Sequence, residues 1–292
     1  MNNSIQMIPL YSGSSGNSIF VQFGSTRILV DAGCTTKSIV SALEQVGQNP
    51  AHLDAILITH DHSDHIRGLD VFVRKFNIPI YATKSTWHGI HSFEKKPHAP
   101  ELDHVIEPGQ SFSIGRLEIF AFATPHDAKG SVGYRIASSR ASMAIATDLG
   151  YFSDEVKSAL AGCDAILLES NYDYEMLWTG PYPWMLKKRV DGKSGHLCNR
   201  DCAEAVKYLY NNGTRHFILG HLSQENNTPS TAHREITAAF DLMDLKPDVH
   251  YHLYVANRYT PSTPVVLAVA ETEDDEPIVP RVHENFRIED LL

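Results

Sequence analysis

The sequence predicts an α/β protein, and three observations carry that expectation. Short strand-like runs alternate with helical patterns along most of the chain. Four apolar runs, at 55–58, 144–146, 166–168 and 217–219, lead at once into a metal-ligand type of residue: His60, Asp148, Glu169 and His221. Continuous apolar runs mark strands buried on both faces, and α/β sheets place their sites just beyond strand ends. Finally, 292 residues with 42% hydrophobic and 21% charged side chains suffice for a large core without staples, which excludes wholesale disorder.

The elements follow in order. Residues 4–10 and 18–23 read as strands flanking the loop YSGSSGN at 11–17, and Gly24-Ser25 reads as a tight turn into a strand at 26–31. Across 36–46, Ile39, Val40, Leu43 and Val46 fall on one helical face, with Gly47 as the stop. An antiparallel group is expected over about 105–147, with turns at Pro108-Gly109 and Gly115. One helix is expected from an Asn199 cap through Cys202, Val206 and Leu209 to Gly213, and another across 229–242. The segments DAILI at 54–58 and DAILL at 164–168 echo each other, a hint of a duplicated half. Residues 1–270 are expected to form one domain and 271–292 an acidic tail.

That tail holds eight acidic and two basic residues, hence −6 of the net charge of −10, so the body carries only −4. It is neither a polybasic glove nor a strongly acidic shell. The longest apolar run, 265–270, is too short for a membrane-spanning helix. The opening MNNSIQMIPLYSG lacks the features of a secretory signal. Four cysteines, Cys34, Cys163, Cys198 and Cys202, are therefore expected as reduced thiols in a cytoplasmic protein.

The densest chemical signal is Thr59-His60-Asp61-His62-Ser63-Asp64-His65. Imidazole and carboxylate together suit Zn²⁺ or a similar divalent ion. Four ligands in six residues crowd one tetrahedral ion. His60 and His62, two apart on an extended segment, can serve one ion; Asp64 and His65, around the following turn, can serve a second. Two ions ~3.5–4 Å apart clamp both sides of a displacement. The plainer alternative is a polar loop at a helix N-terminus. Other histidines, such as His52, His88, His98, His104, His216 and His233, read as structural or exposed.

The pattern HxHxDH after a strand resembles the metallo-β-lactamase fold superfamily. The resemblance implies a four-layer αβ/βα sandwich of two mixed β-sheets flanked by helices, with the site at the rim between the sheets. It extends to Asp31 in LVDAG, implied to stand behind a ligand histidine. His126 in TPHD is implied as the third histidine of a first metal, Asp148 in ATDLG as the bridging carboxylate, and His221 in LGHLS as the last histidine of a second metal. The implied sets are His60, His62, His126 and Asp148 for one ion, and Asp64, His65, Asp148 and His221 for the other. A narrower resemblance covers most of 6–227. YSGSSGNS at 11–18, THDHSDH at 59–65, ESNYD at 169–173, GHL at 195–197 and HLSQENN at 221–227 together resemble the YycJ family, also called WalJ or VicX. This implies a metal-dependent DNA exonuclease working from the 5′ end. Tyr172 stands where that family's motif is expected to carry His.

The expected function is phosphodiester hydrolysis by a metal-bridging hydroxide, with two Zn²⁺ or Mn²⁺ ions, Fe²⁺ also being suitable. Asp64 is expected to ligate and to orient the water, and His196 to protonate the leaving oxygen. Ser15 and Asn17 in the first loop, and Tyr172, are candidates for touching substrate. Lys187 and Lys188, with Arg189, Lys193, Tyr182 and Trp184 nearby, form the best basic-aromatic patch for a nucleic-acid strand. DNA is the expected partner, without a membrane; the sequence carries no signal for oligomeric state. The same metal pair would also suit RNA processing, cyclic-nucleotide hydrolysis or a glyoxalase-II-like thioesterase. A metal-binding regulatory protein is the non-enzymatic alternative.

Overall fold

A computed structural model describes residues 4–268. It begins with β1 (Ser4–Tyr11), β2 (Ser18–Phe23) and β3 (Thr26–Val30), an antiparallel meander. β4 (Ala55–Leu57), β5 (Ile80–Thr83) and β6 (Asp103–Ile106) then extend the sheet in parallel from β3. The second sheet repeats this plan. β7 (Ser111–Ile114), β8 (Leu117–Ala123), β9 (Val132–Ala137) and β10 (Ser142–Ala146) are antiparallel, and β11 (Ala165–Glu169), β12 (His216–Gly220) and β13 (His252–Val255) continue in parallel. The last described strand, β14 (Val265–Ala268), returns to pair with β1 at the edge of the first sheet.

Period-two alternation explains why two sheets stack. In β2, Ile19, Val21 and Phe23 enter the core between the sheets while Phe20 faces outward. In β11, Ala165 and Leu167 face inward while Ile166 and Leu168 face outward. Both faces are therefore apolar, and both outer faces are covered by helices. α1 (Thr36–Gln45), α3 (Leu69–Phe76) and α4 (Lys84–Phe93) pack Leu43, Phe72 and Trp87 on the first sheet. α5 (Asp154–Leu160), α8 (Asn199–Asn211) and α9 (Pro229–Asp241) pack Val156, Val206 and Ile236 on the second. The result is the expected four-layer sandwich. Short α2 (Ser63–Ile66), α6 (Tyr174–Thr179) and α7 (Trp184–Val190) lie outside these layers' main helices.

The echo between 54–58 and 164–168 has a structural counterpart: β4 and β11 each sit second in the parallel half of their sheet. Asp54 accepts from the Arg27 N–H at 2.7 Å as Asp164 accepts from the Ser142 N–H at 2.8 Å, each carboxylate tying its strand to the preceding one. Two details depart from the sequence reading. The strand heading the expected antiparallel group, β6, belongs to the first sheet and runs parallel to β5, because the Pro108-Gly109 turn carries the chain from one sheet to the other, not between paired strands. Asn199 is not the cap of α8: Cys198 accepts the Asp201 N–H on its sulfur, and the Asn199 side chain is taken by Ser170 and Asn227. All four cysteines are free thiols. No helix among the described residues is long and apolar enough to cross a membrane. The expected tail at 271–292 lies outside the described residues.

Candidate metal centre

The chain leaves β4 still extended through Thr59 to His62, whose own extended backbone caps α2. Alternation puts His60 and His62 on one side of that segment, ring centroids 4.6 Å apart, while Asp64 and His65 occupy the first turn of α2. Asp31, Asp148 and His221 follow β3, β10 and β12 with φ of 62°, 60° and 53°. Left-handed backbone at a non-glycine residue costs of the order of 1 kcal/mol, and here it turns each side chain out of its strand direction toward the rim. His126 comes from the loop after β8.

These residues converge. The ligand-type atoms of His60, His62 and His126 lie within 4.8 Å of one another, as do those of Asp64, His65 and His221, and those of His60, His65 and Asp148. Asp148 sits in the middle: its Oδ1 is 3.6 Å from His126 Nε2 and 3.4 Å from His221 Nε2, and its Oδ2 is 3.2 Å from His65 Nε2. Each histidine directs its other nitrogen at a fixed neighbour. His65 Nδ1 meets Asp31 at 2.8 Å and His60 Nδ1 meets the Thr59 hydroxyl at 3.0 Å. His126 Nδ1 meets the Gly195 carbonyl at 3.0 Å, and His221 Nδ1 meets Asn17 Oδ1 at 3.2 Å. His62 Nε2 faces Asp127 at 3.5 Å. Such partners select the tautomer that leaves the inward nitrogen free of its proton, as a metal ligand requires.

The donor set fits a divalent cation. His60 Nε2 is buried without a hydrogen-bond partner among the described residues, a costly condition that a cation relieves. Burial pushes the His60 imidazole well below its ordinary pKa, so it is neutral and ready to ligate. Burial opposes ionisation of Asp148, but His221, His65 and His60 around it outweigh that and hold its carboxyl well below the usual range. Asp31 is itself pinned by the Thr59 N–H at 2.9 Å and the Thr59 hydroxyl at 2.9 Å. The first loop closes on the cluster from below: the Asn17 N–H donates to the Asp64 carbonyl at 2.8 Å, and Gly33 lies so close that a Cβ there would fall 1.6 Å from that carbonyl oxygen.

The centre floors a cleft whose walls include Ser14, Tyr182, Leu186, Arg189 and His196. His196 Nδ1 lies 2.8 Å from Glu169, leaving Nε2 for the cleft. Burial would lower the His196 pKa, but the Glu169 carboxylate outweighs it and raises the group to about 9. Glu169 also accepts the Leu149 N–H at 2.6 Å, tying His196 to the segment that carries Asp148. Glu169 was visible in the sequence as the end of an apolar run, but its partner lies 27 residues on. Asp127 was missed as well. Its carboxylate faces His62 and binds Arg189 Nε at 2.6 Å, and adjacency to His126 was its only signal.

Other expected contacts land elsewhere. Asn17 is fully buried beneath His65 and His221, so it braces these two histidines; Ser14 of the same loop, not Ser15, lines the cleft. Ser15 offers its carbonyl to Arg67. Tyr172 is buried with its hydroxyl on Asp191, away from the cleft walls, because the rest of its ring packs with Leu177 and Cys198. Lys187 is buried too, its Nζ donating to the Trp178 carbonyl at 2.8 Å, while Lys188 lies 5.0 Å over the Trp184 ring. Of that basic run, Arg189 alone reaches the cleft.

Residues 26–222 match the Beta-lactamase superfamily domain. The chain is 39% identical over 249 residues to Exodeoxyribonuclease WalJ of Streptococcus pneumoniae, covering 84% of this chain and 91% of that protein. The chain belongs to the metallo-β-lactamase superfamily, in the WalJ and YycJ family. Exodeoxyribonuclease YycJ of Bacillus anthracis is 36% identical over 233 residues, covering 80% and 88% of the two chains. The metallo-β-lactamase fold protein YhfI of Bacillus subtilis superposes with a TM-score of 0.67 over 89% of this chain and 99% of its own, at 17% identity, a likeness of fold alone. As a member of this family the chain is a metal-dependent hydrolase, and its histidine-aspartate cluster could hold a divalent ion.

Proposed function

We propose that the protein is an exodeoxyribonuclease that holds two divalent ions, Zn²⁺ or Mn²⁺, and degrades DNA from the 5′ end. The observation that carries this reading is two donor triads with Asp148 between them on a cleft floor, His60, His62 and His126 to one side and Asp64, His65 and His221 to the other. The exodeoxyribonuclease names of its 36–39% identical relatives support the substrate class. When bound, the ions supply Lewis acidity, activating water near neutral pH and taking up charge on phosphate oxygens.

The chain's own groups do the rest. Asp64, partly exposed to the cleft, accepts a hydrogen bond from the attacking water and orients it. His196, its Nδ1–H held by Glu169, presents Nε2 to the leaving oxygen and delivers its proton there. Arg189, fixed through Nε by Asp127, offers its remaining guanidinium N–H groups to a phosphate in the cleft. The test is incubation with Mn²⁺ or Zn²⁺ and end-labelled DNA, RNA and a thioester, alongside metal analysis of the purified chain. Stepwise loss of nucleotides from the 5′ label, two ions per chain and silence of His62→Ala are expected. Thioester turnover with DNA and RNA untouched overturns the reading.

A further inference from the structure

Arg258, in the turn after β13, is a cation that the mechanism above leaves unused. Its Nη1 is buried and finds no hydrogen-bond partner among the described residues, and no described carboxylate pairs with it. The ionisable groups near it are Tyr182 and Tyr259, whose ring lies 5.9 Å from its Cζ. Its guanidinium packs against Gly13: a Cβ there would meet Nη1 at 2.6 Å and the Leu222 carbonyl at 3.2 Å. Gly13 is thus the gap through which this arginine approaches the first loop. On one side the next residue, Ser14, lines the metal cleft, as does Tyr182. On the other, Leu222 directly follows His221, whose N–H is held by Ser12 at 2.9 Å. A half-buried guanidinium whose Nη1 lacks a hydrogen bond, with an aromatic ring 5.9 Å from its Cζ as its recorded cation-π contact, is costly to keep, and its planar fork suits a phosphate.

We propose that Arg258, seated over Gly13 at the edge of the cleft, binds the phosphate next to the one at the metal centre, so that the enzyme grips a strand of nucleic acid and not a lone nucleotide. The idea rests on the nuclease reading and deepens it. The exposed Ser14 hydroxyl and the Tyr182 ring complete the contact, the first toward phosphate, the second as a face for the intervening base.

The experiment uses the full chain carrying His62→Ala, with a fluorescent thymidine oligonucleotide read by anisotropy over a range of salt. Adding Arg258→Gln is expected to weaken binding ~10-fold and to flatten the log–log salt dependence by ~0.7. Arg258→Lys, which keeps the charge but loses the fork, is expected to fall between them and guards against a misfolded Gln variant. In the otherwise wild-type chain, Arg258→Gln is expected to lower kcat/KM on the oligonucleotide ~10-fold more than on bis(4-nitrophenyl) phosphate, which has a single phosphate. Affinity within two-fold of the parent with an unchanged salt slope overturns the proposal, as does an equal loss on both substrates or a parent that binds no oligonucleotide. An otherwise wild-type chain that never cuts the strand, beside a His62→Ala parent that binds it, overturns the nuclease reading alone, and the anisotropy series then still decides the role of Arg258.

Discussion

Replacing Asp31 by Asn tests how the metal centre is held without touching a ligand. Asp31 is fully buried and takes three donors: the Thr59 N–H, the Thr59 hydroxyl and His65 Nδ1. Its φ of 62° is tolerated by Asn better than by most residues, so the backbone is expected to stay in place. The amide oxygen can still accept from the Thr59 N–H. Its NH₂ then confronts His65 Nδ1–H, donor against donor. Relief comes by moving the histidine proton to Nε2, the nitrogen that points at Asp148 and Asp64. A protonated Nε2 cannot ligate, so loss of this partner should weaken metal affinity ~10–100-fold, or ~1.4–2.7 kcal/mol. Equilibrium dialysis against buffered Zn²⁺, with circular dichroism to verify the fold, measures this directly. The weaker-bound ion should be the one served by Asp64, His65 and His221. Unchanged affinities for both ions, or a loss confined to the His60, His62 and His126 side, refute the reasoning.

Further outcomes follow from the same geometry. His196→Ala should lower kcat by ~10²–10⁴ while metal content by mass spectrometry stays constant; loss of an ion would make His196 a ligand instead of a proton donor. Glu169→Gln should lower kcat in the same direction, since a neutral partner no longer favours the protonated His196 ring that supplies the proton. Arg189→Gln should raise KM for DNA more than it lowers kcat and reduce the salt dependence of KM, whereas an effect on kcat alone would place Arg189 at the reacting bond. Leu167→Ala, in the fully buried layer between the sheets, should cost ~2–5 kcal/mol in urea unfolding, and a loss below ~1 kcal/mol would show that the inter-sheet core is looser than the structure indicates.

Much of this protein was readable along the chain because the relevant physics is local. Alternating and continuous apolar runs mark strands whatever lies around them, so β2, β10 and β11 emerge directly. His60, His62, Asp64 and His65 are neighbours on one extended segment and one helical turn, and their geometry follows from backbone period alone. Strand ends bearing Asp148, Glu169 and His221 were visible for the same reason. What the chain could not announce was which way a polar side chain faces once distant segments pack. Asn17 and Tyr172 carry groups suited to a substrate, yet the arrival of His221 from 204 residues away and of Asp191 from α7's end turns both inward. Lys187 reads as surface charge until Trp178 covers it, and Glu169 reads as a strand end until His196 is delivered to it. Pattern along the sequence determines which elements form and which atoms are offered, whereas the long-range closure of two sheets on each other decides which of those atoms converge on one centre, which pair with each other, and which remain, like Arg258 Nη1, without a hydrogen-bond partner among the described residues.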